Sequence, residues 1–413
     1  MSWNLGFYLL EKKVKELYSN GYSIYIYPDN KFLITILPMT RISREFQIFT
    51  KPVGSLCNLQ CEYCYYHGNE DTFLRNEKMN DILLEKYIIQ HIEATTDDTI
   101  FFSWHGGEPT LAGIDFYRKA VTLQKKHLPP GKKLINGIQT NGTLLNDEWC
   151  KFFAHENFLV GISIDGPEEF HNQFRLKQNA KGTFNDVING YRLLQKYGVT
   201  AEILCVVNSS NAQFPLEIYL FFKSLNVKYI TFLPLVERKP GSASEVTSKS
   251  VSAEAFGYFL IRIFDEWVEI DIGEITVQIF EEALRSAFDE EHTLCIFKVN
   301  CGGVPVIECN GDVYSCDHFV NKEHLLGNIG ENQVSYFLDC EKQKAFGKAK
   351  SLTLPNYCRN CDVLLMCNGE CPKNRFIVTP DGEPRLNYLC EGYKMFFKHC
   401  RPFIESVKLA AKN

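Results

Sequence analysis

The stretch that decides the fold is KPVGSLCNLQCEYCYY, residues 51–66, which holds Cys57, Cys61 and Cys64 in one short loop. Three thiolates so close in sequence can converge on one metal centre, and three protein ligands leave one coordination position open. An open position is typical of a catalytic rather than a structural site. The alternative interpretation is a zinc loop that takes a fourth ligand, for instance His67.

Short β-branched and aromatic runs alternate with helical patterns from about residue 46 onward. The six apolar runs are EFQIFTKPVG, TIFFSWHGG, LINGIQTNG, FLVGISIDG, AEILCVVN and YITFLPLVE. This alternation predicts an α/β fold with parallel strands, whose functional site forms at the carboxyl ends of the strands. Six units are too few for a closed eight-stranded barrel, so we expect a partial (β/α)6 barrel or an open sheet.

Composition narrows the class of protein. The chain has 413 residues and a net charge of -6, with no basic stripe, which argues against a nucleic-acid partner. It has no apolar run of the roughly 20 residues needed to cross a bilayer, and no secretory signal pattern at its start, so we expect no membrane association and a cytoplasmic location. In that reducing compartment, 16 cysteines indicate metal or redox chemistry rather than disulfides.

Three regions are predicted along the chain. Residues 1–45 read as an extension of one helix and a β-hairpin, either a structural cap or an element that docks substrate. Residues 46–252 form the partial barrel. Residues 253–413 begin with a long amphipathic helix at about 253–270 and continue as a small cysteine-rich domain, with a hairpin turning at Asn310-Gly311.

The cysteine-rich domain contains eight cysteines with site-like spacing. They are Cys295, Cys301, Cys316, Cys358, Cys361, Cys367, Cys371 and Cys390. Eight thiols are the number for two four-cysteine sites. Zinc and iron–sulfur clusters both accept four thiolates, so the spacing leaves the metal open.

The loop CNLQCEYC resembles the signature of the radical S-adenosylmethionine enzymes. The resemblance implies that Cys57, Cys61 and Cys64 hold a [4Fe–4S] cluster whose fourth iron binds S-adenosylmethionine, which is cleaved to a 5′-deoxyadenosyl radical. Gly106-Gly107-Glu108-Pro109 would be an ordinary turn by itself. Beside this loop it resembles the element that holds the amino group of the cofactor's methionine.

The C-terminal array resembles the SPASM domain, which carries two auxiliary clusters. This resemblance implies two ligand sets, which spacing alone would not predict. The first set is Cys295, Cys301, Cys316 and Cys371. The second set is Cys358, Cys361, Cys367 and Cys390.

Over about residues 46–400 the chain resembles the anaerobic sulfatase-maturating enzymes, through motifs such as WHGGEPTLAG, NGDVYSCDHFV and CNGECPKNRF. This implies oxidation of a cysteine or serine in a sulfatase polypeptide to Cα-formylglycine, with three [4Fe–4S] clusters and an electron donor such as flavodoxin or ferredoxin. It implies that Asp317, next to Cys316, acts as the base; alternatively, Asp317 only satisfies backbone amides. The cofactor contacts that it implies are Tyr63, Gly106, Gly107, Glu108, Ser163, Arg175 and Val236.

Two competing functions remain at this point. A related radical maturase could act on another peptide, for example by forming thioether cross-links. A zinc-stabilised binding module would instead hold zinc and have no enzymatic activity. Among the remaining cysteines, we expect Cys150 and Cys205 to be buried apolar residues and Cys400 to be an exposed thiol. We also expect His105 to face the site and contact substrate.

Overall fold

The computed structural model describes residues 46–66 and 77–412. The predicted N-terminal helix and hairpin of residues 1–45 lie outside the described residues, as does His67. Within the described part, no helix combines the length and the apolar character that a membrane span requires.

The core of the fold is a sheet of parallel strands that alternate with helices. Its strands are β1 (Phe49–Thr50), β2 (Thr99–Trp104), β3 (Lys133–Thr140), β4 (Leu159–Ser163), β5 (Ala201–Val207), β6 (Tyr229–Pro234) and β7 (Thr276–Val277). The helices between and after them are α1 (Asp81–Ala94), α2 (Ile114–His127), α3 (Asp147–His155), α4 (Glu168–Phe174), α5 (Phe184–Lys196), α6 (Pro215–Ser224), α7 (Ala253–Glu266) and α8 (Gln278–Arg285). Each neighbouring pair from β1 to β7 is parallel. The predicted partial barrel is confirmed, and its sheet is open rather than closed.

Helix boundaries follow local sequence signals. Helix α1 begins after Asn80, whose side chain accepts a hydrogen bond from the Leu83 amide, as an N-cap residue does. The apolar faces of the helices pack on the sheet and bury large side chains such as Trp104 and Tyr117. Helix α7 ends four residues before the predicted boundary at 270, and a π-helical turn, Trp267–Asp271, continues it.

The cysteine-rich region adds a second set of elements. These are β8 (Val306–Ile307), β9 (Asp312–Tyr314), β10 (Leu325–Asn328), α9 (Val334–Asp339), α10 (Glu341–Leu352), α11 (Asn356–Arg359), α12 (Leu364–Cys367), β11 (Arg375–Val378), β12 (Pro384–Asn387) and α13 (Cys390–Lys412). The predicted hairpin at Asn310-Gly311 is present as β8 and β9. Strands β11 and β12 form a separate antiparallel pair.

Strand β8 extends the sheet across the two regions. It pairs in parallel with β1, with Phe49 opposite Val306 and Thr50 opposite Ile307, and the ten-stranded sheet ends in β9 and β10. The edge of β1 is therefore covered by the cysteine-rich region. This pairing brings the turn after β9 close to the loop after β1.

Candidate active site and cluster sites

The three-cysteine loop is held in place by its backbone and by asparagines. The amides of Gln60 and Glu62 donate to Leu176 O and Phe174 O at 2.8 and 2.9 Å. Asn58 bonds to Thr143 and Asn141 at 2.9 Å each. These hydrogen bonds within the protein therefore help to fix the shape of the loop.

The thiols of this loop lie close enough to influence one another. Burial raises the pKa of Cys57 to about 12, and the neighbouring Cys61 and Cys64 contribute to the rise. Burial likewise raises the pKa of Cys61 and of Cys64. A buried cluster of thiols is costly to ionise alone, and metal coordination offsets that cost by stabilising the thiolates.

The Gly106-Gly107-Glu108 segment packs directly against the three-cysteine loop. A Cβ on Gly107 would lie 2.3 Å from Leu56 O and 2.4 Å from Ser55 O, so only glycine fits there. The amides of Gly107 and Glu108 each donate at 2.8 Å to carbonyl oxygens of the loop. The predicted cofactor-binding glycines are thus placed beside the three cysteines.

Glu108 connects the ends of β2 and β3. Its carboxylate is fully buried and accepts hydrogen bonds from Thr110, Thr140 and the Asn141 amide, at distances from 2.6 to 3.0 Å. Burial raises the pKa of Glu108, while these donors lower it. Its role towards the cofactor amino group stays a prediction, and the contacts present show that it anchors the β2 turn.

Tyr63 and Arg175 meet at Asp165, which the sequence analysis quoted only as part of the run FLVGISIDG. The Tyr63 hydroxyl donates to the Asp165 carboxylate and accepts a 2.7 Å hydrogen bond from Arg175. Asp165, fully buried, follows β4 by two residues and also accepts from the Val206 amide at 3.0 Å. Its position just beyond the carboxyl end of a parallel strand was the available signal.

Ser163 and Val236 lie at two strand ends on this part of the sheet. Ser163 is the last residue of β4 and accepts a hydrogen bond from Gln139 at 3.2 Å. Val236 is buried two residues after β6.

In the described part of the chain, the buried Nε of Arg175 has no hydrogen-bond partner. A buried donor without a partner could bind an anionic group of a cofactor.

Asp317 belongs to an ion-pair cluster around the fully buried Lys51. Its Oδ1 is 2.7 Å from the Lys51 Nζ, and its Oδ2 accepts a 3.0 Å hydrogen bond from the Tyr65 hydroxyl. Lys51, fully buried, also pairs with Glu308 at 3.2 Å. Burial alone would raise the pKa of Asp317, but Lys51 outweighs it and holds that pKa at about 2. Asp317 is therefore ionised at neutral pH, as a base must be.

This cluster joins the two cysteine-bearing regions. Tyr65 follows Cys64 in the first loop, and Asp317 follows Cys316 in the cysteine-rich region. Sequence analysis did not identify Lys51 or Glu308, because nothing in their local patterns indicates a partner more than 200 residues away.

The thiols predicted as the first auxiliary set, including Cys371 from the later run, influence one another electrostatically. Burial raises the pKa of Cys371, with Cys316 and Cys295 among the further causes. Burial also raises the pKa of Cys316 to about 12, with contributions from Cys295 and Cys301. These four thiols therefore lie within electrostatic range of one another.

The thiols predicted as the second auxiliary set influence one another in the same way. Burial raises the pKa of Cys390 to about 12, and Cys358 and Cys361 add to the rise. Burial raises the pKa of Cys367 to about 12, helped by Cys390 and Cys358. Four thiols per set are the donor count for a cubane cluster. Within residues 46–66 and 77–412, no three His, Cys, Asp or Glu side chains are grouped so that they could hold a single metal ion.

The remaining predictions for single residues have mixed outcomes. Cys150 and Cys205 are fully buried, as expected. The expectation that Cys400 is exposed is wrong: it is fully buried in α13, because its helix face packs into the core. His105 stacks on Phe49 at 3.8 Å between ring centroids and bonds to Ser103 at 2.8 Å. Its contact with substrate stays a prediction.

Comparison with known proteins defines the class. Residues 52–210 match the radical SAM superfamily, and residues 301–362 match the SPASM family, described as an iron–sulfur cluster-binding domain. This is a radical S-adenosylmethionine enzyme fold followed by an iron–sulfur domain.

Matches over most of the chain identify the family. The chain is 45% identical, over 90% of its length and 93% of the relative, to the serine-type anaerobic sulfatase-maturating enzyme of Bacteroides thetaiotaomicron. It is 34% identical, over 87% of its length and 97% of the relative, to a cysteine-type enzyme of Clostridium perfringens. The solved structure of native anSMEcpe with bound AdoMet and the Cp18Cys peptide matches with a TM-score of 0.80 and 32% identity, over 88% and 99% of the two chains. The chain belongs to the anaerobic sulfatase-maturating enzyme family.

Proposed function

We propose that this chain oxidises a serine of a sulfatase polypeptide to Cα-formylglycine. The preference for serine is supported by the higher identity to the serine-type Bacteroides enzyme, 45% against 34% for the cysteine-type Clostridium enzyme. The substrate segment is a nascent or unfolded part of the sulfatase, and reduced flavodoxin or ferredoxin supplies electrons.

One observation carries the proposal. Asp317 contacts Tyr65 of the three-cysteine loop and follows Cys316 of the first auxiliary set. A base at this place lies between the site where the hydrogen atom is removed and the cluster that takes the electron. An ordinary loop aspartate that satisfies backbone amides would not need a fully buried lysine partner, since burying that charge is expensive.

The proposed reaction balances in atoms and electrons. When bound, the first cluster and S-adenosylmethionine supply a radical that takes one hydrogen atom from the serine Cβ. Asp317 takes the proton of the serine hydroxyl, and the auxiliary clusters, when held by the two cysteine sets, would accept the one electron that remains. The CH2OH group thereby loses two protons and two electrons and becomes an aldehyde. Lys51 and Tyr65 orient the Asp317 carboxylate for this transfer.

The proposed ligands follow the predicted sets. Three [4Fe–4S] clusters are held by Cys57, Cys61 and Cys64, and by the two auxiliary sets given above. S-adenosylmethionine contacts Tyr63, Gly106, Gly107, Glu108, Ser163, Arg175 and Val236. The proposed regions are 1–45, 46–252 and 253–413, with the clusters divided between the second and third.

The cluster count is tested by metal analysis of anaerobically purified protein. We expect about 12 iron atoms per chain, and about 8 after replacement of the three loop cysteines in C57A/C61A/C64A, because two cubanes remain. That variant should not cleave S-adenosylmethionine. Zinc in place of iron would contradict the proposal.

Substrate choice is tested with peptides that differ at one position. The chain, reconstituted and reduced without oxygen, is given S-adenosylmethionine and sulfatase-derived peptides carrying Ser, Cys or Ala at the target position. We expect mass spectrometry to show loss of two hydrogen atoms from the Ser peptide, faster than formylglycine forms from the Cys peptide, and no change with Ala. Conversion of the Cys peptide alone would overturn the serine preference, and conversion of neither would overturn the proposed function.

A further inference from the structure

The two auxiliary ligand sets share one short loop. Helix α12 ends at Cys367, which belongs to the second set, and Cys371 of the first set follows after Asn368, Gly369 and Glu370. Any change in the shape of these three residues moves a ligand of each set. The loop is therefore the shortest covalent connection between the two cluster sites.

The backbone of this loop is unusual. Asn368, Gly369 and Glu370 have φ values of 46°, 69° and 52°, so three successive residues are left-handed. This conformation is unfavourable for residues other than glycine and persists only where the surroundings enforce it. A Cβ on Gly369 would lie 2.4 Å from the Leu354 side chain and 2.6 Å from Arg375 Nη2, so the loop is also closely covered.

Arg375, the first residue of β11, binds all three carbonyl oxygens that this conformation presents. Its Nε donates to Gly369 O at 2.8 Å, and its Nη2 donates to Asn368 O at 2.9 Å and Glu370 O at 3.0 Å. Its Nη1 donates to Lys350 O at 2.5 Å. The side chain is more than nine-tenths buried. These donors are spent on backbone carbonyls, so the positive charge is not neutralised by a directly bonded carboxylate.

The guanidinium acts on thiols of both sets. Burial lowers the pKa of Arg375, while Glu370 raises it most, followed by Cys358 and Cys367 of the second set and Cys301 of the first. Arginine nevertheless keeps its proton in proteins, so this charge is permanent. Two other buried charges lie nearby. The Lys350 amine donates to Cys295 O at 3.0 Å, and the Glu370 carboxylate accepts from Asn387.

We infer that Arg375 is a positioning residue that sets the reduction potentials of both auxiliary clusters together. This inference rests on the part of the proposed function that places two auxiliary clusters in the chain. A fixed cation favours the reduced, more negative state of a nearby cluster, and the potential of such clusters responds to net charge and hydrogen bonding around the sulfurs. Because one side chain serves both sites, the two potentials change in the same direction, which preserves the driving force for electron transfer between them.

The test is a redox titration of full-length protein followed by electron paramagnetic resonance. The C57A/C61A/C64A background leaves only the auxiliary signals. In that background R375M should lower both midpoint potentials by at least about 59 mV, a tenfold change in each one-electron equilibrium constant. R375K, which keeps the charge, should stay closer to the parent than R375M. K348M, an exposed lysine on the same helix as Lys350, is the matched control and should shift neither potential.

The outcomes separate the possibilities. R375M protein that keeps about 8 iron atoms with neither potential lowered, or only one, overturns the inference. If R375M loses iron, R375K decides: restored clusters with parental potentials support the role of the charge, and equal iron loss overturns it. A parent that never holds the two auxiliary clusters would instead refute the cluster count of the proposed function.

Discussion

At the residue scale, the central feature is the contact between Lys51 and Asp317. Asp317 was identified only through the family resemblance, and the local sequence gave no sign of Lys51. Lys51 begins the segment KPVGSLC that leads into the cysteine loop, but a lysine in such a segment is normally a solvated charge. Only the pairing of β1 with β8 shows that it is fully buried against two carboxylates.

Replacing Asp317 with Asn tests the proposed base. We expect formylglycine yield to fall about 100-fold or more, since that is the usual contribution of a general base. Iron content and S-adenosylmethionine cleavage should stay near those of the parent, because the amide oxygen of the new side chain in D317N can still accept a hydrogen bond from Tyr65. The control is D115N, at an exposed aspartate on α2. Product formation at the parental rate would show that another group takes the proton.

Replacing Lys51 with Met tests the ion-pair cluster around Lys51. The change leaves two mostly buried carboxylates, Glu308 and Asp317, without their shared cation, which should cost about 3–5 kcal/mol of unfolding free energy. The double variant K51M/E308Q should regain part of this loss, because one of the two charges is removed. Urea unfolding measures both, and K119M, at an exposed pair with Asp81, should change stability by less than about 1 kcal/mol. A K51M protein as stable as the parent would contradict the described pairing.

At the element scale, periodicity predicted most of the barrel. The pattern DILLEKYIIQHIEA corresponds to α1, residues Asp81–Ala94, and the six apolar runs became β1 to β6. Strand β7, Thr276–Val277, was missed because helix α8 begins at the next residue, Gln278, so no turn separates the strand from the helical pattern. The pairing of β8 with β1 was also missed, because pairing between distant strands leaves no local signal. The same is true of the contact between Arg375 and the loop that links the two auxiliary sets.

Replacing Gly107 with Ala tests the packing of the β2 turn on the cysteine loop. The new Cβ would overlap Leu56 O and Ser55 O, both backbone atoms that cannot move without moving the loop. We expect the variant to keep about 8 iron atoms and to lose the first cluster. The control is G198A, where the added Cβ meets open space and only the positive φ of 67° is unfavourable, so it should keep the full iron content. A fully loaded G107A protein that still cleaves S-adenosylmethionine would rule out this close packing.

At the scale of the whole molecule, buried neutral histidines link stability to pH. His91 is buried between α1 and β2, stacks on Phe102, and bonds to the Tyr87 hydroxyl at 3.1 Å. Burial lowers its pKa to about 3. The unfolded chain takes up this proton near pH 6.5, so the folded state binds fewer protons between pH 3 and 6.5. Stability therefore falls as pH drops through that window.

Replacing His91 with Phe should remove this part of the pH dependence. Between pH 6.5 and 5 the parent should lose about 1.5 kcal/mol more unfolding free energy than H91F. Anaerobic urea unfolding at the two pH values measures the difference. H155F, at an exposed histidine, should keep the parental slope. Identical slopes for parent and H91F would mean that His91 is not neutral and buried in solution.

The most direct test of the whole account follows one hydrogen atom. A sulfatase peptide in which both hydrogens on the Cβ of the target serine are deuterium is incubated without oxygen with the reduced enzyme and S-adenosylmethionine. The peptide and the 5′-deoxyadenosine are then analysed by mass spectrometry. The account predicts one deuterium in 5′-deoxyadenosine for each formylglycine formed. Formylglycine without any transferred deuterium, or labelled 5′-deoxyadenosine with an unchanged peptide, would contradict it.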